Sequence, residues 1–185
     1  MSLIRRICLY AGPGSGKSVM ASTIYSCCSK NDKYKNKLRF ELVNEYAKNW
    51  AYENRNINGW KQTYVYSKQM YKEFLPLSSG ADIIITDSPL YLSCVYAQKY
   101  NAPGNKELVS LSHEFEKDFP ALHIFVNREN NTYIKSGRFE EYDQAVKIDN
   151  EIIDFLNINN INFQQVLYKD EESVLAIIDK NINIK

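Results

Sequence analysis

Residues 11–18 of this chain read Ala-Gly-Pro-Gly-Ser-Gly-Lys-Ser. The spacing suits phosphate chemistry. Gly16-Lys17-Ser18 fits the end of the pattern Gly-x-x-x-x-Gly-Lys-[Ser/Thr], and Ala11 stands where the first glycine is usual. Glycines let a backbone curl until successive N–H groups converge on phosphate oxygens, and a helix behind them presents the positive end of its dipole. The expected triphosphate ligands are therefore Gly12, Pro13, Gly14, Ser15, Gly16, Lys17, Ser18 and Val19. Lys17 is expected to reach the β- and γ-phosphates, and the Ser18 hydroxyl to hold Mg²⁺. ATP with Mg²⁺ is the expected cofactor pair. The flanks agree, because residues 3–10 read as a short aliphatic strand and residues 19–25 as a helix with apolar residues three to four apart.

Further candidates stand where apolar strand patterns end. Ile83-Ile84-Ile85-Thr86 runs into Asp87, a placement that suits a second Mg²⁺-organising carboxylate beside Ser18. Ser88 follows, where many P-loop ATPases carry a glutamate that activates water, so transfer to an acceptor is expected over hydrolysis. Residues 38–44 alternate as a second strand, and Glu45 at its end is the candidate general base for an attacking hydroxyl. Asn127-Arg128 ends a fourth strand, and Lys135 and Arg138 lie in the basic stretch beyond it. Arg128 and Arg138 are candidate catalytic cations of a lid over residues 128–139 that would close on ATP and exclude water. Asn127-Arg128-Glu129-Asn130 lacks the Lys and Asp of a guanine-reading motif, so guanine specificity has no support. Trp60, Tyr64, Tyr66 and Gln69 suggest an aromatic slot with an amide to read a base, and Tyr64 and Gln69 join Glu45 as substrate-binding candidates.

Strand and helix patterns must place these side chains. Helical stretches are expected at residues 46–55, at 60–75 with Pro76 as the stop, and from Ser88-Pro89, as cap and first turn, to about Tyr100. Others are expected at 106–118, 140–156 and 171–182, with strands at 81–87, 121–127 and 163–168. Such alternation implies an α/β fold, a parallel sheet covered by helices on both faces, with functional residues beyond the carboxyl ends of the strands. The 185 residues suit one domain, and 44% hydrophobic residues suit a packed core. A net charge of +1 marks no general affinity for nucleic acid, though a local patch stays open. No apolar run approaches the roughly 20 residues of a membrane span, and the first strand begins too early to leave room for a signal peptide. Cys8, Cys27, Cys28 and Cys94 lack zinc-like spacing and read as reduced thiols of a cytoplasmic protein.

The phosphate loop, residues 43–48, the helix bearing Gln69 and residues 83–89 together resemble the P-loop nucleoside-kinase branch. The likeness extends over residues 3–168 to the nicotinamide riboside kinase domain of bacterial NAD-biosynthesis regulators and to small phage-encoded AAA-type ATPases or kinases. Ser136-Gly137-Arg138, followed by a helix with Ala145 and Asp149, is similar to the lid and next helix of the phage proteins. The resemblance implies a three-layer P-loop NTPase fold with five parallel strands in the order 2-3-1-4-5 and a small lid. It implies transfer of the γ-phosphate of ATP to a hydroxyl, with Glu45 and Asp87 at the positions of the family's acidic residues. A nucleoside- or nucleotide-like small molecule is the expected acceptor. A hydroxymethylated pyrimidine in DNA is a second possibility, which a basic groove joining Lys48, Arg55, Lys61 and Lys68 would favour. A nucleotide-dependent switch or weak ATPase is a third, which a closed, hydroxyl-free pocket around Glu45 would favour. Oligomeric state is left open.

Overall fold

The computed structural model describes residues 4–129 and 141–182. Five strands form one parallel sheet: β1 (Arg6–Tyr10), β2 (Phe40–Val43), β3 (Ile83–Thr86), β4 (Ala121–Asn127) and β5 (Phe163–Leu167), in the order β2-β3-β1-β4-β5. Parallel neighbours need crossover connections. These contain helices α1 (Lys17–Lys30), α2 (Lys48–Tyr52), α3 (Trp60–Ser78), α4 (Leu90–Lys99), α5 (Asn105–Asp118) and α6 (Tyr142–Ile158), with α7 (Glu171–Asn181) after β5. This is the α/β P-loop NTPase-like fold that the resemblance implies.

Strand periodicity makes the layers. Successive side chains point to opposite faces of a strand. In β1, Ile7 and Leu9 pack with Met20, Ala21 and Ile24 of α1 and with Val174 and Ile178 of α7. Cys8 and Tyr10 face the other way, into a core shared with Tyr66 of α3, Leu92 of α4, Phe115 of α5 and Ile148 of α6. β3 is buried on both faces, which is why it reads as an unbroken apolar run.

The register brings the strand ends level. Thr86 pairs with Cys8 on one side and Val43 on the other, and Tyr10 pairs with Phe125. The chain therefore leaves β1, β2, β3 and β4 at one edge of the sheet. There it delivers the loop at 11–16, Glu45, Asp87 and Arg128.

Several boundaries differ from the sequence reading. β2 stops at Val43 and lies at the edge of the sheet, separated from β1 by β3. Glu45 is thus two residues beyond the strand and not beside the loop's own strand. Pro76 lies inside α3, which runs on to Ser78. Proline forfeits one backbone hydrogen bond in a helix. The next turn is held by Leu77 in the core and by Ser79 and Ala81 N–H groups donating to Pro76 O. Ser88 is not the cap of α4; Pro89 occupies that position, and the Ser88 N–H donates to Thr86 Oγ1 at 3.2 Å. Arg138, Lys135 and most of the expected lid fall outside the described residues.

The α3–α5 side also buries charge. Arg6 donates to Glu73 at 3.0 Å, to Glu116 at 3.2 Å and to Phe119 O at 2.7 Å. His123 Nε2 lies 2.7 Å from Glu116, and its Nδ1 is 2.9 Å from the Tyr10 hydroxyl. No helix among the described residues is long and apolar enough to cross a membrane.

Candidate active site

The loop after β1 turns through Gly14 (φ 75°) and Gly16 (φ 91°), left-handed conformations that glycine adopts without steric cost. Gly16 is also the residue before α1, so Lys17 and Ser18 are the first residues of that helix. A Cβ on Gly16 would fall on the ring of Tyr168, which covers this part of the loop from the end of β5. At the start of the loop, a Cβ on Gly12 would come within 2.5 Å of Ala145 O and 2.9 Å of the Asp149 carboxylate. Gly12 thus lets α6 press against the loop.

Two carboxylates organise the loop from opposite sides. Asp87 accepts from Ser18 Oγ and, at 3.1 Å, from the backbone N–H of Glu45. It is 3% exposed and ties together the ends of β2, β3 and the loop. On the far side, Asp149 of α6 accepts from the Gly12 N–H at 2.5 Å and pairs with Arg128 Nε. Arg128 also donates to Pro13 O at 3.2 Å and Ala145 O at 3.3 Å. Its guanidinium is therefore fastened between the loop and α6. Of the expected lid only Arg128 and Glu129 are described, and Arg128 contacts the loop and α6.

A cavity of about 250 Å³ opens beside the loop. Pro13 through Val19 form one wall, and Glu45, Gln69 and Ser88 lie on it as well. Gln62, Val65, Leu92, Ser93 and Tyr96 from α3 and α4, with Ala47, Lys48, Ala51 and Tyr52 around α2, complete it. Gln69 Oε1 accepts from the Tyr46 N–H at 2.9 Å and so braces the segment that carries Glu45. Burial lowers the pKa of Lys17, opposed by Glu45, Asp87 and Asp149.

The aromatic slot expected from the sequence is not assembled. Tyr66 points into the core and bonds Ser112 at 2.9 Å. Trp60 and Tyr64 lie on the outer face of α3, 73% and 47% exposed, and do not line the cavity. Helical spacing decides this: Val65 and Gln69 share one face of α3 with Gln62, while Trp60 and Tyr64 fall on another. The cavity takes its rings from Tyr52 and Tyr96. Neither was a candidate from the sequence, and nothing in their local pattern separates them from the chain's twelve other tyrosines (14 in all). Gln62, 2% exposed, has an Nε2 with no partner, and the buried Ser15 Oγ in the loop has none either.

The residues fit a triphosphate and a divalent cation. Ser15 Oγ is an orphaned polar atom at the phosphate wall, where such atoms otherwise carry a desolvation penalty. Ser18 Oγ and Asp87 offer two hard oxygen donors, the type Mg²⁺ takes alongside phosphate oxygens and water. Among the described residues no group of three or more His, Cys, Asp or Glu side chains could hold a metal by itself. A cation here would therefore depend on a bound phosphate.

A family model described as "AAA domain" matches residues 6–172. The chain belongs to this AAA domain family. The matched span runs from β1 into α7 and includes the loop, both carboxylates and the cavity. Solved structures share the fold. The NadR protein, solved in complex with NR, superposes with a TM-score of 0.67 at 13% identity, over 99% of this chain and 52% of its own. The protein APE1195 superposes with a TM-score of 0.52 at 19% identity, over 97% and 95%. This chain thus spans about half the length of NadR. No curated protein matches it. The family assignment makes the chain a P-loop nucleotide-binding protein.

Proposed function

We propose that the protein is an ATP-dependent phosphotransferase of the cytoplasm that moves the γ-phosphate to a hydroxyl of a nucleoside- or nucleotide-like acceptor. The observation that carries this reading is the cavity. It is lined by the phosphate loop together with Glu45, Gln62, Gln69 and two tyrosines, which supports a place for an acceptor beside a triphosphate.

In the proposed reaction the acceptor oxygen forms a bond to the γ-phosphorus, and the bond from that phosphorus to the β–γ bridging oxygen breaks, releasing ADP. The acceptor's proton passes to the Glu45 carboxylate. Lys17 and the loop N–H groups hold the phosphates in line and offset the charge on their oxygens, which is most of what phosphoryl transfer asks of a protein. Ser18 and Asp87 would hold Mg²⁺, which when bound supplies further charge neutralisation. Arg128 acts by fixing the loop. Gln62 presents a buried amide to the acceptor.

The test is a screen of nucleosides and mononucleotides, NR among them because the NadR protein binds it, with γ-labelled ATP. Label should appear on one acceptor class and be lost in Lys17→Ala. Label found only as inorganic phosphate with every acceptor would make the protein a hydrolase instead.

A further inference from the structure

The outer face of α2 and α3 carries chemistry that the cavity does not use. Trp60, Tyr64, Tyr71 and Leu75 recur at helical intervals along α3 and are all exposed. Trp50 of α2 stacks on Tyr64, with centroids 5.8 Å apart and planes at 30°, and Tyr46 meets Tyr64 edge-on at 6.1 Å. Cations sit among the rings: Arg55 lies 5.2 Å over Trp50, and Lys68 5.4 Å over Tyr64. Residues 48–78 hold five basic side chains, Lys48, Arg55, Lys61, Lys68 and Lys72, against two acidic ones. Of those two, Glu73 is buried on Arg6, and Glu53 is paired with Arg55. Exposed α3 therefore presents aromatics and cations and no carboxylate, in a chain whose net charge is only +1.

Singly scattered exposed aromatics need no explanation, but a contiguous patch marks an interaction surface. The charge complementarity selects the occupant. Flat rings offer stacking faces, and the ammonium and guanidinium groups between them offer phosphate contacts, the combination with which proteins hold single strands. We propose that this face binds a single-stranded polynucleotide, with bases stacked on Trp60 and Tyr71 and phosphates at Lys61 and Lys68. The other side of α2, through Lys48, Ala51 and Tyr52, lines the cavity. A strand held here runs past the cavity mouth. The binding itself rests on this surface alone; use of a strand nucleotide as the acceptor would rest on the proposed function.

The chain's two tryptophans, Trp50 and Trp60, are both on the platform, so intrinsic fluorescence reports on it directly. The experiment titrates the full chain with a short single-stranded oligothymidylate, without ATP or Mg²⁺. The outcome is then independent of any transferase activity. Binding should quench the fluorescence and weaken with salt, with a log–log slope of about −1.4 for two neutralised phosphates. Tyr71→Ala, which leaves both tryptophans in place, should weaken it about tenfold through lost stacking. Lys68→Glu, an exposed change that leaves every ring in place, should weaken it and flatten the salt slope. The proposal is overturned by an absence of quenching, by equal binding of the matching duplex or of polyglutamate, or by Lys68→Glu binding like wild type. It is also overturned if sedimentation shows a second copy of the chain on this face, with self-association abolished by Trp60→Ser.

Discussion

Asp87 accepts from a hydroxyl on one side and a backbone N–H on the other, and neither bond needs its full charge. Asp87→Asn should therefore keep the geometry while removing the anion that a cation would use. The expected result is a transfer rate lower by about 100-fold or more and a raised Mg²⁺ requirement, with only a small change in Tm. A wild-type Mg²⁺ titration in this variant would remove Asp87 from the metal site. Glu45 stands differently. It lines the cavity, and its backbone N–H is bonded to Asp87. Glu45→Gln should cut turnover by about 10²–10⁴-fold, the usual worth of a general base, and leave ATP affinity unchanged. Steady-state kinetics with an acceptor from the screen would show it. Unaltered turnover would leave Asp87 as the better base.

At the level of elements, the unexpected contact is α6 against the loop. Arg128 and Asp149 are 12% and 14% exposed as a pair, and the same carboxylate holds the Gly12 N–H. Breaking a buried pair by removing one partner typically costs about 3–5 kcal/mol, because the other charge is left stranded. Asp149→Ala should accordingly lower Tm and raise KM for ATP more than KM for the acceptor, since α6 braces the phosphate wall and not the α2–α3 wall. Equal rises in both KM values would mean general loosening. Gly12→Ala should act on the same interface by steric clash with Ala145 O.

Across the whole molecule, the buried Arg6 network joins β1, which leads into the phosphate loop, to α3, which carries Gln62 and Gln69. Burial pushes the Glu73 carboxyl up to about 7, against the pull of Arg6. A carboxyl raised in the folded state binds more protons there than when unfolded, so its contribution to stability declines as pH rises from its ordinary value to about 7. Glu73→Gln removes that slope. The Tm of the variant should improve relative to wild type between about pH 4.5 and 7, with no further change above. A difference independent of pH would show that Glu73 keeps one protonation state throughout. Glu116 and His123 are in the same network and stay in both proteins.

The phosphate loop was legible in the sequence because its requirements are local. Left-handed turns need glycine, and the helix that follows needs Lys17 and Ser18 at its first residues. The parallel sheet was legible for a similar reason, since a strand buried on both faces must read as an apolar run such as Ile83-Ile84-Ile85. The strand order came from family resemblance. What tertiary structure alone decided was which distant residues share the site. Asp149 reaches Gly12 across 137 positions of sequence, and Tyr52 and Tyr96, unlike Tyr64 and Tyr66, meet at the cavity because of how α2 and α4 pack beside α3. A helix periodicity says which residues share a face; only packing says whether that face meets core, cavity or solvent.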